Sequence, residues 1–359
     1  MSVGKRRIMD LNKDSKIYIA GHRGMVGSAI LRKFQKEGYS NLIYKTSSEL
    51  DLIRQNEVEN FFEREKPDFV INAAAKVGGI VANNTYPAEF IYQNLMISTN
   101  LIHSCYLFGV KKLINLGSSC IYPKNAPNPL KEEYLLSSEF EKTNEAYALS
   151  KATAIKLCEF YNREYGTNYI SLMPPNLFGE NDNFNMQTAH LLPMLLRRFH
   201  LAKLYENNDI DGIKNDFSKN PLGWNLDEKI SNTPISELLK KIGIEKGKVT
   251  VWGDGSVYRE LMYSNDVADA CLYFLKNIAA KDINNFVNIT SGKDIQVKNI
   301  VQIVKNIVGY QGEIVYDKTK PNGVQRKLMD ATRLNSLDWK PKISLESAIE
   351  DFYKIYLSL

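Results

Sequence analysis

The 359-residue sequence has little cysteine, little histidine and no long hydrophobic run. No apolar stretch approaches the ~20 residues that a membrane-spanning helix needs, so we expect no membrane partner. The first ten residues carry three basic residues but no apolar core after them, which argues against a secretory signal. The four cysteines form neither a Cys-x-x-Cys pair nor a zinc pattern with the four histidines. These absences predict a cytoplasmic protein with reduced thiols and no metal site.

The chain also has no large excess of charge of one sign, because 46 basic and 41 acidic residues leave a net charge of only +5. The lysines and arginines form no long stripe, so we expect no nucleic-acid partner. A modest positive charge suits a polyanionic small molecule. The hydrophobic share of 44% and charged share of 24% are ordinary for a globular enzyme. The length allows two domains, or one domain with an elaborated second lobe.

A glycine-rich turn near the start of the chain predicts a nucleotide site. An apolar strand is predicted at 16–20 and an amphipathic helix at 28–37, and the sequence Gly-His-Arg-Gly-Met-Val-Gly at 21–27 lies between them. In a dinucleotide-binding unit the first glycine makes the turn and the second lets backbone N–H groups approach a pyrophosphate. The third lets the helix pack on the strand, and the helix N-terminus attracts the phosphate. A turn and helix without a ligand is the alternative.

The end of the second predicted strand, at 41–44, bears on the choice of coenzyme. Enzymes that prefer NAD usually carry an acidic residue there for the ribose 2′-hydroxyl. This chain instead has Lys45-Thr-Ser-Ser, with no acid before Glu49. Arg23 and Lys45 could bind a 2′-phosphate, so we expect NADP, with solvent-exposed cations as the alternative.

Strands alternate with helices along the first half of the chain. Further strands are predicted at 68–72, 112–117 and 169–173, and long helices at 89–108 and 144–165. This alternation predicts an α/β fold with a Rossmann-type, doubly wound parallel sheet. We expect a flexible extension at 1–15 and an NADP-binding domain at 16–178 that also receives parts of 264–290. A smaller α/β substrate lobe is expected at 179–359, with an inserted subdomain at 205–246.

Tyr147 and Lys151 are four residues apart on the helix predicted at 144–165, so they share one face of it. A tyrosine is a poor proton donor or acceptor at neutral pH, because its pKa is about 10. A nearby ammonium is expected to lower that pKa, and the pair could then protonate a carbonyl oxygen during its reduction. The spacing also occurs on exposed helix faces that have no function.

Four elements are expected at one edge of the sheet: the glycine turn, residues 118–120, the Tyr147/Lys151 pair, and residues 174–177. With them the sequence resembles the extended short-chain dehydrogenases/reductases, and among these the GDP-L-fucose synthase family. The resemblance covers about 16–203 and 249–359. Its most specific stretches are 73–84 and 117–123, together with the segment from Asp182 to His190.

The resemblance implies roles for individual residues. Ser118, Tyr147 and Lys151 would form the reductase triad, Cys120 would remove protons at C3 and C5, and His190 would return them. Chemically, a thiolate can serve as a base and an imidazole as an acid near pH 7, although a buried thiol and a polar helix start are the alternatives. The coenzyme would contact Gly21, His22, Arg23, Gly24, Met25, Val26, Gly27, Leu116, Gly117, Ser118, Ser119, Lys151, Pro174, Pro175, Asn176, Leu177 and His190. GDP would be held by Arg198, Trp252, Arg259 and Lys327.

The implied function is conversion of GDP-4-keto-6-deoxy-D-mannose to GDP-L-fucose by epimerisation at C3 and C5, followed by NADPH-dependent reduction at C4. A C4 reductase of another GDP-4-keto-6-deoxy sugar, such as a heptose, is the first alternative. A non-catalytic NADP-sensing protein on the same fold is the second. A homodimer is expected through the helices at 89–108 and 144–165.

Overall fold

The computed structural model describes residues 11–320 and 324–359, and these divide into two compact units. The first unit contains residues up to 181 together with 262–292 and 329–342. The second unit contains 182–261, 293–328 and 343–359. The chain therefore leaves the first unit and returns to it twice.

The first unit is built on a six-stranded sheet. The strands of this sheet are β1 (Ile17–Ala20), β2 (Leu42–Ile43), β3 (Phe69–Asn72), β4 (Lys112–Leu116), β5 (Tyr169–Met173) and β11 (Phe286–Asn288). Outside it, β6 (Asn176–Phe178) pairs with β10 (Leu261–Tyr263), where the chain re-enters the unit. Its helices are α1 (Met25–Lys36), α2 (Gln55–Glu65), α3 (Ile80–Thr85), α4 (Pro87–Leu107), α5 (Glu145–Tyr165), α9 (Ser264–Asn277) and α11 (Thr332–Asn335). The sheet order is β11-β5-β4-β3-β1-β2, and every pairing is parallel.

Helices cover both faces of this sheet, which explains why its strands are almost continuously apolar. Along β1, Ile17 and Ile19 join a core cluster that includes residues of α1 and α9. Tyr18 and Ala20, which alternate with them, join a second cluster that includes residues of α2, α4 and α5. The predicted doubly wound parallel sheet is confirmed.

The strand order reverses direction between β1 and β3, because the chain adds β2 on one side of β1 and β3 on the other. Ligands of open α/β sheets bind outside the carboxyl ends of the strands at such a point. The glycine turn follows β1 at this edge. Residues 73–79, part of the family-specific stretch noted in the sequence, follow β3 there.

The second unit is smaller and has mixed structure. Its helices are α6 (Leu191–Glu206), α7 (Ile210–Lys219), α8 (Ile235–Lys241), α10 (Val297–Val308) and α12 (Leu345–Ser358). Its strands are β7 (Ile244–Glu245), β8 (Lys248–Trp252), β9 (Tyr258–Arg259), β12 (Ile295–Gln296) and β13 (Glu313–Asp317). β8 pairs in parallel with β13 and antiparallel with β7, while β9 and β12 form an antiparallel pair.

Two features differ from the sequence-based expectation. Residues 1–10 of the expected flexible extension lie outside the described residues, but 11–15 pack on the first unit, where Leu11 joins the core and the Lys13 carbonyl accepts from the Ser40 N–H. Residues 329–342 lie in the first unit rather than in the substrate lobe. They do so because Leu334, Leu337 and Trp339 fill the same core cluster as α9. Among the described residues, no helix combines the length and apolarity needed to cross a membrane.

Candidate active site

The glycine turn after β1 has the geometry that a phosphate cradle requires. Gly21 adopts a φ of +80°, and a Cβ there would lie 2.7 Å from the Ala73 oxygen. A Cβ on Gly27 would overlap the Gly21 carbonyl oxygen, so α1 can approach β1 only because this residue is glycine. Gly24 is the N-cap of α1, and no side chain caps the helix. The amides of the first turn therefore point toward the site without a competing side-chain acceptor.

A cavity of about 220 Å³ opens beside this turn. It is lined by Gly21, His22, Arg23, Gly24, Lys45, Thr46, Ser47 and Ser48. Glu49 is not among these lining residues, and its carboxylate accepts from the Thr46 N–H at 2.8 Å and the Thr46 hydroxyl at 2.7 Å. These bonds lower the pKa of Glu49 to about 2, and its other oxygen lies 3.6 Å from the Lys45 ammonium. The two cations and three hydroxyl side chains of this lining fit a 2′-phosphate.

The chain leaves β4 through Gly117 and enters a short 3-10 turn at Ser119–Ile121. Ser118 is extended, and its Oγ accepts from the Cys120 N–H at 3.4 Å. The Ser119 N–H donates to the Pro174 carbonyl at 3.1 Å, which ties this turn to the segment that follows β5. Cys120 is 8% exposed. Serine and cysteine are thus held at the carboxyl edge of the sheet by their own backbone.

The Tyr147/Lys151 pair on α5 lies against this turn. The Lys151 Nζ lies 5.8 Å from the centroid of the Tyr147 ring and donates to the Leu116 carbonyl at 2.9 Å, at the end of β4. Tyr147 packs against the cluster that contains Cys120, and a Cys120 thiolate would act electrostatically on both side chains. The structure therefore brings together Cys120, Tyr147 and Lys151, with Ser118 bonded to the Cys120 backbone.

Burial has the largest effect on the pKa values of both Tyr147 and Lys151. It lowers the pKa of Lys151 to about 8, against a smaller opposing effect of Cys120. Burial, followed by the charge of Cys120, raises the pKa of the Tyr147 phenol. The expected lowering of the phenol pKa by the ammonium was wrong, because burial, which favours the neutral phenol, is the largest effect on Tyr147. A phenol that keeps its proton suits the donor in a reduction.

Sequence reasoning missed a row of buried amides beneath the site. Asn72 at the end of β3 donates to the Asn115 Oδ1 on β4, and Asn115 donates to the Ser171 Oγ on β5, each at 3.1 Å. Beyond β3, Asn94 of α4 accepts from the Lys76 N–H at 2.9 Å and donates to the Lys76 carbonyl at 3.0 Å. These contacts fix the edge of the sheet and the loop after β3. Polar residues inside otherwise apolar strands were the signal available in the sequence.

The remaining predicted residues belong to the second unit. His190 is an exposed residue and the N-cap of α6, where its side chain makes no capping bond. Partial desolvation lowers the pKa of its imidazole. Arg198 on α6 is 3% exposed and donates through Nη1 to the Thr250 carbonyl at 2.9 Å. Its Nε has no partner within the described part of the chain, and burial lowers its pKa to about 10.

Three further residues complete the predicted GDP set. Trp252, at the end of β8, is 57% exposed, and the Lys320 ammonium lies 5.7 Å from its ring centroid. The Arg259 Nη1 donates to the Tyr258 and Val324 carbonyls, and burial lowers its pKa. Lys327 is partly buried. A buried guanidinium with an unused donor and an exposed indole are groups that a nucleoside diphosphate could engage. Their roles stay predictions.

Comparisons with known proteins identify the family and the fold of this chain. The model of the NAD dependent epimerase/dehydratase family matches residues 17–213 and 219–290. GDP-L-fucose synthase 1 of Arabidopsis thaliana is 46% identical, over 96% of this chain and 94% of its own length. Among solved structures, a GDP-D-glycero-L-gluco-heptose synthase from Campylobacter jejuni, crystallised in the presence of NADPH, is 42% identical with a TM-score of 0.89 over 97% of this chain and 99% of its own. A GDP-mannoheptose C4 reductase of the same organism, with NADP bound, is 40% identical with a TM-score of 0.83 over the same shares.

Proposed function

The chain belongs to the NAD dependent epimerase/dehydratase family, and from that premise we propose that it is a GDP-L-fucose synthase. Its substrate would be GDP-4-keto-6-deoxy-D-mannose, which it would epimerise at C3 and C5 and then reduce at C4 with NADPH. The observation that carries the proposal is the placement of Cys120 beside Tyr147 and Lys151 at the end of β4. A reductase needs the tyrosine and lysine, whereas the cysteine adds a base for the neighbouring carbons.

The residues after β1 and β2 would hold the coenzyme. The glycine turn and the uncapped start of α1 suit its pyrophosphate, and Arg23 with Lys45 suits a 2′-phosphate. The cavity beside Lys45 presents no carboxylate among its lining residues, which favours NADP over NAD. When bound, NADPH supplies the hydride for C4.

Epimerisation depends on the ketone at C4, which acidifies the protons on C3 and C5. The Cys120 thiolate would take a proton from one of these carbons, and the electron pair would move onto the C4 oxygen as an enolate. The His190 imidazolium would then return a proton to the opposite face of that carbon. The backbone of Ser118 to Ile121 holds the thiol in place, so the base needs no conformational change to reach a fixed substrate position.

Reduction would use the other two side chains. As the C4 carbon receives hydride, its oxygen becomes basic and takes the phenolic proton of Tyr147. Lys151 then stabilises the phenolate that remains, and the Ser118 hydroxyl can donate a hydrogen bond to the same oxygen. The Leu116 carbonyl fixes the Lys151 ammonium through their 2.9 Å bond, so the positive charge lies where negative charge develops.

The test separates the two reactions. Wild-type protein incubated in D2O with the keto sugar and NADPH should yield GDP-L-fucose by NMR, with deuterium at C3 and C5. Cys120→Ser should lose deuterium incorporation and keep C4 reduction, whereas Tyr147→Phe should lose reduction first. An unepimerised GDP-rhamnose as the sole wild-type product would refute the epimerase half. Equal loss of both activities in both variants would refute the division of roles.

A heptose substrate is the second candidate, and a specific observation favours it. The two Campylobacter structures compared above are named for heptose chemistry, and their TM-scores are 0.89 and 0.83 over nearly the whole chain. Comparing kcat/KM on the GDP-4-keto-6-deoxy hexose and on the corresponding heptose decides between them. A ratio that favours the heptose by tenfold or more would replace the first assignment.

The substrate nucleotide would be bound by Arg198, Arg259 and Lys327 at its phosphates and by Trp252 at its base or ribose. Supporting this, the Arg198 Nε donor has no partner among the residues the structure describes, although the side chain is nearly fully buried. Trp252→Ala should raise the KM for the GDP-sugar with little change in kcat, whereas an unchanged KM would remove this residue from the site.

We also infer a cytoplasmic homodimer. All four cysteines are buried, and none forms a disulfide within the described residues, as in a reducing compartment. Helices α4 and α5 expose large apolar side chains, among them Tyr92, Leu107 and Phe160, which is typical of an interaction surface. Phe160→Asp should shift the protein toward a monomer in light scattering. The control Leu357→Asp changes an exposed apolar residue of α12 and should leave the dimer intact.

A further inference from the structure

The inserted segment at 205–246 is the part of the second unit whose purpose the sequence leaves open. We propose that it supports the loop that ends at His190, and that Gln187 is the positioning residue through which it acts. The inference rests on the proposed function, because it assigns His190 the proton that completes each epimerisation. The residues that carry it all lie in the second unit.

A tight turn at 222–227 forms the contacting part of the insertion. The Asp227 carboxylate accepts from the Leu222 N–H at 2.7 Å and the Gly223 N–H at 2.9 Å. Trp224 and Asn225 then follow with φ values of +50° and +58°. Left-handed backbone at residues other than glycine costs on the order of 1 kcal/mol or more and persists only where surrounding contacts impose it. This turn is therefore shaped by what it touches.

The turn touches Gln187. The Gln187 Oε1 accepts from the Trp224 N–H at 2.7 Å. A Cβ on Gly223 would lie 2.5 Å from the Gln187 Cβ and 3.0 Å from the Asn185 Oδ1, so the backbone of the turn lies directly on the loop. The Asn185 Oδ1 in turn accepts from the N–H groups of Gln187 and Thr188. The insertion thus contacts the loop three residues before His190.

Arg197 joins the same two segments from beneath. Its guanidinium is fully buried, and Nη1 donates to the Phe184 carbonyl at 2.8 Å and the Pro221 carbonyl at 2.6 Å. Nη2 donates to the Asn220 carbonyl and to the Asp216 carboxylate of α7, both at 2.7 Å. The start of the His190 loop, α7 and the residues that follow α7 therefore share one cation.

Within the described ranges, no hydrogen bond of comparable kind anchors the His190 side chain. Its side chain makes no capping bond at the start of α6. An acid that protonates one face of an enolate must be placed accurately, since a displacement of about 1 Å can cost ~100-fold in rate. The contacts of Gln187 and Arg197 supply that placement through the backbone. Gln187 is the better residue to change, because removing Arg197 would leave a buried carboxylate unpaired.

The experiment uses two substitutions of similar length, of which only one can accept a hydrogen bond from the Trp224 N–H. Gln187→Met keeps the length of the side chain but cannot accept the Trp224 N–H, whereas Gln187→Glu can. Exchange of the C3 and C5 protons of the keto sugar is followed in D2O with oxidised NADP, which cannot donate hydride. The C4 chemistry is measured separately, as NADPH formed from GDP-L-fucose. Gln302→Met is the matched control, because this exposed side chain of α10 donates to the Asn306 Oδ1 within its own helix.

We expect Gln187→Met to slow exchange roughly 10- to 100-fold in kcat, with little change in the substrate KM or in the C4 rate. Gln187→Glu should restore exchange to within a few fold, and Gln302→Met should match wild type. Exchange in Gln187→Met equal to wild type would overturn the inference, and so would a loss expressed only in KM, which would mean that the insertion contacts substrate. Absence of exchange in wild type would instead refute the proposed function.

Discussion

Replacing Gly27 by alanine is the sharpest test of the coenzyme cradle. A Cβ at this position would overlap the Gly21 carbonyl oxygen and lie 2.6 Å from its carbon and 2.9 Å from the His22 nitrogen. Carbon atoms in contact are separated by about 3.5–4.0 Å. The neighbouring atoms are backbone, so they cannot rotate away, and α1 must move about 1 Å from the turn.

The cost of that movement can be estimated. Overpacking of this kind destabilises a protein by about 1–3 kcal/mol. For a unit of about 150–250 residues, a loss of ~2 kcal/mol lowers the Tm by about 4–8 °C. The same displacement carries the first-turn amides of α1 away from the pyrophosphate position, so NADPH affinity should fall at least tenfold. Thermal unfolding without coenzyme measures the first effect, and a fluorescence titration with NADPH measures the second.

Gly24→Ala is the matched control, because its Cβ would lie 3.5 Å from the Gly21 oxygen, an ordinary contact. It changes the same turn by the same methyl group, so its Tm should stay close to that of wild type. The reasoning is refuted if Gly27→Ala keeps the wild-type Tm and NADPH affinity, or if Gly24→Ala loses as much stability as Gly27→Ala.

Three further predictions follow from the site. Arg23→Ala and Lys45→Ala should each raise the KM for NADPH by about 10-fold or more, because a hydrogen bond to a charged group contributes about 1.5–3 kcal/mol. The KM for NADH, which has no 2′-phosphate, should stay nearly unchanged. Equal effects on both coenzymes would contradict a 2′-phosphate site. Burial lowers the pKa of Lys151 to about 8, so its ammonium is present below that pH and lost above it, and the kcat/KM for C4 reduction should fall as the pH rises through about 8. In Lys151→Arg the residual activity should not fall there, since arginine stays charged; an unchanged falling limb would assign it to another group. Arg197→Met should lower the free energy of unfolding by about 3–5 kcal/mol in chemical denaturation, because it leaves the buried Asp216 carboxylate unpaired. The double variant Arg197→Met/Asp216→Leu should regain part of that free energy. A further loss in the double variant would show that the Arg197–Asp216 pair is not the source of the destabilisation.

The parallel sheet could be predicted from the sequence because both of its faces are covered. Strands such as Phe69–Asn72 and Tyr169–Met173 are short apolar runs that alternate with long helices, and this pattern has few other solutions. The sequence analysis assigned no element to α2 and α7, whose sequences are polar, or to β13, a short strand with no fully buried residue. Such elements are stabilised by the surfaces they pack on, which one segment of sequence does not contain.

The features of the candidate site also divide into those that the sequence predicts and those that depend on the fold. The glycine turn, the Ser118–Cys120 turn and the Tyr147/Lys151 spacing are local patterns, and each could be recognised from a few adjacent residues. Other contacts of the site join residues that are 35 to 99 positions apart in the sequence. They are the bond from Lys151 to the Leu116 carbonyl, the row from Asn72 to Ser171 across three strands, and the contact of Gln187 with the 222–227 turn. Their geometry depends on the sheet register and on how loops pack.

The sequence by itself determined the family-specific motifs, the strand–turn–helix start and the residue types available for acid–base chemistry. Each of these is a property of a few adjacent residues, whose backbone preferences are local. Only the tertiary structure decided that burial keeps the proton on Tyr147 and that the turn at 222–227 lies on the loop before His190. Those outcomes depend on burial and on contacts between distant segments, and both exist only once the chain has folded.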